Sequence, residues 1–412
     1  MNRNQLILLL VALAVIGGAG LMLLNRHDES WSSAGSKLGQ KLLPDFKVND
    51  VADIHIKGES DLNLVKKDNK WRVAERNDYP ANFSDISDLL IKMGDLKIAQ
   101  DEPIGPSQLG RMQLAAPGSG VEAATLVEFK DAQGKVIQSL LLGKKHVRKS
   151  ERASAMPYGG GDMPDGRYVM LKDNSQDLLT VSDPLNSLDP KPAAWLDKDF
   201  FKIEKLKTIS FVSTNATNSW TLTRATESSP WVLLNLKAGE VLDSNKVSSL
   251  SSTLSYPSFV DVAANASPAQ TGMDKPLLVN ITTFDHFDYA LKIGSKTPEN
   301  NYNLQVSITG DFPANRVPEK NETADAAKKL DAVFQDNLKV SQDKVKHLQS
   351  FDNWTYLVSS WTIDPLIRDR SQLMVEKAPK EDTKGAAKAV KPMSDDKTDG
   401  DTPFPTPDSN TQ

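Results

Sequence analysis

The stretch Ala52-Asp53-Ile54-His55-Ile56 opens a pattern of short strands that returns about 150 residues later along the chain. The first copy continues through Leu62-Asn63-Leu64 and Trp71-Arg72-Val73. The second copy reads Thr208-Ile209-Ser210-Phe211, then Trp220-Thr221-Leu222, then Trp231-Val232-Leu233. A long fixed period indicates that one folding unit is duplicated, and this unit is large enough to be a domain. We therefore predict two tandem homologous domains.

Each copy combines strands with a helix. Ile54 and Ile56 alternate with polar residues, which is typical of a half-buried strand, and Asp68-Asn69 supplies the turn chemistry of a hairpin. Apolar residues at helical spacing follow each repeated Trp, namely Ile86, Leu89, Leu90 and Met93 in the first copy and Val247, Leu250 and Leu254 in the second. We predict an α+β fold in which each domain has a mixed or antiparallel sheet with a helix packed on one face.

Smaller signals locate the ends of these elements. Ser84 is the predicted N-cap of the first helix, and Asp243-Ser244 opens the second. Each copy then has a pair of strands that ends in glycine, Gly143 or Gly294. A helix-like run at 324–338 belongs to the second copy alone.

Changes in composition along the chain predict its segments. Lys, Asp, Pro, Thr and Ser dominate the C-terminal segment, which has too little apolar surface to bury to offset the entropy lost on ordering. The predicted segments are a cytoplasmic N-terminus (1–5), a transmembrane anchor (6–24), a linker (25–45), repeat domain 1 (46–200), repeat domain 2 (201–376) and a disordered tail (377–412).

Residues 6–24 form an uncharged apolar run that is just long enough, at about 1.5 Å per residue, to span a hydrocarbon core of about 30 Å. An uncleaved anchor is the favoured interpretation, and a cleaved signal peptide is the alternative. Ala14, Gly17 and Gly18 provide a small-residue face against which another membrane helix could pack. We expect a single-pass membrane protein with a cytoplasmic N-terminus and an extracytoplasmic body.

The 412-residue chain has a net charge of −5 and contains no cysteine. Because the charge is mild and mixed, the composition argues against a nucleic-acid partner, which would require a concentrated basic surface. The missing thiols exclude a lipid-modified N-terminal cysteine, thiolate metal sites and cysteine nucleophiles.

A search for catalytic motifs finds none. The five histidines are never spaced i, i+3 or i, i+4, so no helix-borne metal site is predicted. Gly118-Ser119-Gly120 lacks the strand and helix of a nucleophile elbow, and Gly159-Gly160-Gly161 lacks the lysine of a phosphate loop. We predict that the chain is not an enzyme and has no cofactor, and we keep an enzyme with an unrecognised site as an alternative.

Two loops are candidate interaction sites instead. The first contains Tyr158, Gly159, Gly160 and Gly161, and the second contains Gly272, Met273, Asp274 and Pro276.

The apolar N-terminal run, the two copies of the strand, hairpin, Trp and helix pattern, and the loop Gly272-Met273-Asp274-Lys275-Pro276 resemble a family of unknown function. Its members are single-span bacterial proteins with repeated periplasmic domains, found beside components of gliding-motility-type ABC transporters. The first copy departs from the loop pattern, since residues 110–117 are longer and lack the Asp.

The resemblance implies a membrane-anchored accessory or scaffold subunit that binds the permease and auxiliary subunit of such a transporter. The alternative is a module that binds an envelope polymer, peptidoglycan or polysaccharide, through aromatic side chains such as Tyr158, Trp354 and Trp361.

Overall fold

A computed structural model describes residues 37–147, 164–172, 174–188, 190–318, 320 and 322–375. The predicted anchor with Ala14, Gly17 and Gly18, the loop with Tyr158 and Gly159 to Gly161, and the predicted tail all lie outside these residues. Among the described helices, none combines the length and apolar character needed to cross a membrane.

The first half of the described chain builds one antiparallel sheet and one helix. Its elements are β1 (Asp53–Lys57), β2 (Asp61–Lys67), β3 (Lys70–Val73), β4 (Tyr79–Pro80), α1 (Phe83–Asp95), β5 (Ile98–Pro103), β6 (Thr125–Lys130), β7 (Val136–Val147), β8 (Pro164–Leu171) and β9 (Asn174–Val181). The strand order across this sheet is β4-β3-β2-β1-β6-β7-β8-β9-β5.

The second half builds a second antiparallel sheet. Its elements are β10 (Leu206–Val212), β11 (Trp220–Thr223), β12 (Val232–Leu233), α2 (Ser244–Ser255), β13 (Asp261–Val262), α3 (Pro268–Thr271), β14 (Leu277–Thr283), β15 (Phe287–Lys296), β16 (Asn301–Gly310), α4 (Ala324–Leu348), β17 (Tyr356–Ser359) and α5 (Ser360–Ile363). The strand order is β12-β11-β10-β14-β15-β16-β17-β13. The predicted α+β class is confirmed.

The two sheets have the same order of strands. In the second sheet, β10, β11 and β12 occupy the positions that β1, β2 and β3 occupy in the first. In the same way, β14 to β17 occupy the positions of β6 to β9. The last strand at one edge of each sheet is the strand that follows a helix. It is β5, after α1, in the first sheet and β13, after α2, in the second. Within the described residues, β4 is the one strand of the first sheet without a counterpart in the second.

The predicted hairpin and helices are present. Asp68 and Asn69 have φ of 50° and 59°, as a two-residue turn between β2 and β3 requires. The apolar stripe of α1 is buried against its sheet, and so is that of α2. The prediction for Ser84 is wrong, because the side chain of Asn82 caps α1 by accepting hydrogen bonds from the backbone N–H groups of Ser84 and Asp85.

Residues 37–43, which the sequence assigns to the linker, pack on the first sheet. The backbone N–H of Gly39 donates to the Ile98 carbonyl at 2.8 Å, and the N–H of Ile98 donates to the Gln40 carbonyl at 3.0 Å. Leu42 and Leu43 are buried in the core. This segment therefore covers the open side of β5.

The core is continuous through both sheets. Ile54, Leu89 and Phe129 of the first half share one cluster of buried side chains with Ile209, Leu250 and Ile281 of the second. The inserted helix α4 contributes little to it, since Leu348 is the one residue of that helix that is buried.

In each sheet, a long central strand contains a glycine against which the backbone of a loop packs. Gly143 of β7 lies against the carbonyl oxygen of Met112, and Gly294 of β15 lies against the carbonyl oxygen of Thr271. A Cβ atom at either glycine would overlap that oxygen. The loops of the two halves differ in sequence and length, yet both rest on an equivalent glycine.

We predict that Gly294→Ala lowers the free energy of unfolding by about 1–3 kcal/mol, because the new methyl group must displace the backbone of Thr271. Gly105→Ala is the matched control, since a Cβ there has nothing within 4 Å. Urea unfolding followed by circular dichroism measures both variants. Equal stability of the two variants would contradict the packing role.

Candidate interaction surface

The two halves meet through an aromatic cluster around Tyr79, at the end of β4. The ring of Tyr79 lies 4.9 Å from the ring of Trp354, 5.8 Å from that of Phe259 and 6.1 Å from that of Tyr356, measured between centroids. All three contacts are edge to face, the favoured geometry for aromatic pairs. Burial raises the pKa of Tyr79 to about 12 and raises that of Tyr356 further. Both phenols therefore stay neutral at physiological pH.

An ion pair lies beside this cluster. The Nε and Nη2 atoms of Arg76 donate to the two carboxylate oxygens of Asp261, each at 2.7 Å. The side chains are 21% and 18% exposed, so water screens the pair only in part. The hydrogen bond to Asp261 raises the pKa of Arg76. Two parallel bonds fix the angle as well as the distance between the halves.

Lys198 adds a third contact in the segment that joins the halves. Its Nζ donates to the Val260 carbonyl at 2.8 Å and lies 4.5 Å from the centroid of the Phe259 ring. Burial lowers the pKa of Lys198. We name the surface formed by Arg76, Tyr79, Pro80 and Ala81 the receiving face of the first half. The surface formed by Phe259, Asp261, Trp354 and Tyr356 is the docking face of the second half.

The same backbone contacts occur before the helix cap in both halves, and they show which residues of the second half are equivalent to those of the receiving face. In the first half the N–H of Asn82 donates to the Trp195 carbonyl at 2.8 Å, and Ala81 forms a bridge with Leu196. In the second half the N–H of Asp243 donates to the Leu373 carbonyl at 2.9 Å, and Leu242 forms a bridge with Met374. Residues just before Asp243 therefore correspond to residues just before Asn82.

The segment of the second half that corresponds to the receiving face lies among exposed apolar side chains. Tyr79 in the first half is only 3% exposed, because the rings of the docking face cover it. We name the exposed set beside β12 the open patch; it consists of Val232 (55% exposed), Leu234 (44%), Leu236 (49%) and Val241 (62%). Four exposed apolar side chains within ten residues form a candidate contact surface, because exposed apolar patches mark protein or membrane contacts.

Charged groups border the open patch. Arg370 donates through Nη2 to a carboxylate oxygen of Glu240 at 2.8 Å and to the Asn235 carbonyl at 2.7 Å. The hydrogen bond from Arg370 lowers the pKa of Glu240 to about 2. Lys237 is exposed at the same border. Charged residues therefore lie next to the exposed apolar residues along the chain, and protein interfaces likewise combine apolar with polar groups.

The second predicted loop has a packing role that its sequence did not indicate. Gly272 has φ of 73° and ends α3, and Met273 is half-buried against Gly294. Asp274 is exposed and Pro276 is half-buried. None of these four residues belongs to the open patch, and the first predicted loop lies outside the described residues.

The aromatic residues of the polymer-binding alternative are not gathered into one described surface. Trp354 packs on Tyr79 in the docking face, and Trp361 is 86% exposed on α5. Tyr158 lies outside the described residues.

A cluster of charged side chains lies across β1 and β6 in the first sheet. His55 lies 3.6 Å from carboxylate oxygens of both Asp61 and Glu128. Burial acts to raise the pKa of Glu128, but Lys172, His55 and Lys130 outweigh it, so the net pKa is lowered. In the part of the chain that the structure describes, no group of three or more His, Cys, Asp or Glu side chains could hold a metal ion.

The sequence signature described as "Domain of unknown function (DUF4340)" matches residues 71–276, half of the chain. The chain belongs to this family. The DUF4340 match begins at Trp71 in β3 and ends at Pro276 just before β14, so it contains Arg76, Asp261 and the whole open patch. A search of the curated proteins and of the solved structures found no match to this chain.

Sequence reasoning missed the contact between the halves. Arg76 and Asp261 are 185 residues apart, and nothing in a single sequence pairs them. The open patch does have a sequence signal, because residues 231–236 contain no charged side chain.

We predict that Asp261→Asn lowers the free energy of unfolding by about 1.5–3 kcal/mol, since it leaves the half-buried guanidinium of Arg76 without a counter-charge. Asp78→Asn is the matched control, because its pair with Lys67 is exposed and is worth at most about 1 kcal/mol. Urea unfolding at pH 7 measures both. Losses of the same size would show that the pair does not hold the halves together.

We also predict a pH dependence for the contact between Glu240 and Arg370. The folded pKa of about 2 lies below the ordinary value of 4.5, so the stabilisation is complete above pH 4.5 and is lost as the pH falls toward 2. Glu240→Gln should therefore be less stable than the parent chain at pH 7 and equal to it near pH 2. Unfolding midpoints across this range, with the exposed Glu59→Gln as control, test the prediction. A difference that persisted at pH 2 would contradict it.

Proposed function

We propose that this DUF4340 protein is a membrane-anchored periplasmic accessory subunit of a gliding-motility-type ABC transporter complex. It acts by binding other proteins, the permease and the auxiliary subunit first among them, and it performs no catalytic step. The open patch of Val232, Leu234, Leu236 and Val241 is the observation that carries this proposal.

Two features of the sequence support the location. Residues 6–24 supply an uncharged run long enough for one span, and Arg3 before it favours a cytoplasmic N-terminus. The small-residue face of Ala14, Gly17 and Gly18 would then pack against a helix of the permease. The bilayer and the patch would hold the chain at two separate points of one complex.

We further propose that the two halves are tandem copies of one duplicated domain, with boundaries at 46–200 and 201–376. The shared strand order, the equivalent glycines Gly143 and Gly294, and the matching bridges of Leu196 and Met374 support this. Duplication supports a scaffold role, because what the copies share is core and backbone pairing and not a set of polar side chains.

The test is affinity purification of the full-length tagged chain from its own membranes in a mild detergent. We expect recovery of an ATPase, a permease and an auxiliary subunit. The double substitution Leu234→Glu and Leu236→Glu should lower that recovery by about tenfold or more, because charges replace apolar side chains at the centre of the contact.

Val317→Glu is the matched control, since Val317 is 86% exposed and lies outside the patch. Both variants should keep the parent's thermal unfolding midpoint, because the substituted side chains already face solvent. Failure of the parent chain to recover any transporter component would overturn the proposal. Equal recovery by the two variants would remove the open patch from it.

A further inference from the structure

We infer that the open patch receives a domain of this same fold carried by a different polypeptide, seated as the second half is seated on the first. This inference rests on the proposed function and names the kind of partner that its binding surface fits.

The contact inside the chain is the template. The receiving face of the first half follows β3, and the docking face of the second half covers it through Asp261 and three aromatic rings. The open patch follows β12, which stands where β3 stands in the sheet order. In the first half the docking face covers the segment between β3 and α1, whereas in the second half β12 and the segment that follows it expose the open patch.

The segments that follow each half also contact equivalent residues. After Leu196 the first half continues directly into the second, and the N–H of Asp197 still donates to the Pro80 carbonyl at 2.9 Å. Met374 is in the position of Leu196, because it forms a bridge with Leu242 as Leu196 does with Ala81.

The charges define the partner's docking face. Arg76 precedes the N-cap Asn82 by six residues, and Lys237 precedes the N-cap Asp243 by six. A cation is therefore present at the same position in both halves. Because Arg76 pairs with Asp261, the partner domain should place a carboxylate opposite Lys237.

A second copy of this chain does not offer such a face. Its Asp261 docking face already covers its own first half. The corresponding edge strand of its first half, β5, is paired with residues 37–41, and the residue before the buried Ile98 is Lys97. Lys97 would lie opposite Lys237, and like charges across a contact are unfavourable. The occupant is thus another polypeptide.

The experiment places the photo-crosslinking residue p-benzoylphenylalanine at Leu236 of the full-length chain in its own membrane. The same residue at Val317 is the control for random contact. We expect one cross-linked envelope protein, with the cross-linked peptide on the edge strand of a domain that has this strand order and a nearby carboxylate. Lys237→Glu should lower the yield by about tenfold or more, and reversing the partner's carboxylate to lysine should restore it.

Cross-linking to a second copy of this chain, to lipid alone or to a protein without such a domain would overturn the inference. A cross-linking yield at position 236 no higher than at position 317 would also overturn it. If transporter components still co-purify with the parent chain in any of these cases, the proposed function stands and this inference alone fails.

Discussion

An exposed apolar edge of a β-sheet is a liability, because its unpaired backbone groups and half-covered side chains can bind another strand or domain. This constraint arranges the molecule. Residues 37–41 pair with the start of β5, which is the edge strand of the first sheet that follows α1. The second sheet, through β13 and β17, covers the end of β4. The first cover directly precedes the first sheet in the chain, whereas the second belongs to the other sheet.

The contact between the halves combines two kinds of interaction with different roles. The rings around Tyr79 remove apolar surface from water, and the hydrophobic effect that favours this burial is not directional. The bidentate pair of Arg76 and Asp261 supplies direction, because two parallel hydrogen bonds tolerate little rotation. An interface built only of rings would hold the halves together without fixing their angle.

Most of the sheet architecture could be predicted from the sequence, and the contacts between elements could not. Ile54 and Ile56 alternate with polar neighbours, and the turn at Asp68 and Asn69 is local, so strand and hairpin follow from a few adjacent residues. The cap of α1 was assigned to Ser84 where Asn82 fills it, because both residue types favour an N-cap and the backbone angles decide between them. The pairing of Arg76 with Asp261 depends on how two sheets dock, which leaves no periodic trace in a single sequence.

The side chains that precede the helix cap differ between the two halves. Tyr79 stands three residues before the cap of α1, and Glu240 stands three residues before the cap of α2, held by Arg370. The first half has an aromatic anchor at this distance from the cap, whereas the second half has a carboxylate that pairs with Arg370 of the same half. The exposed apolar side chains of the second half include Leu234, Leu236 and Val241, none of which has a ring. Such a surface fits a partner that supplies its own aromatic anchors, as the docking face of Phe259, Trp354 and Tyr356 does within this chain.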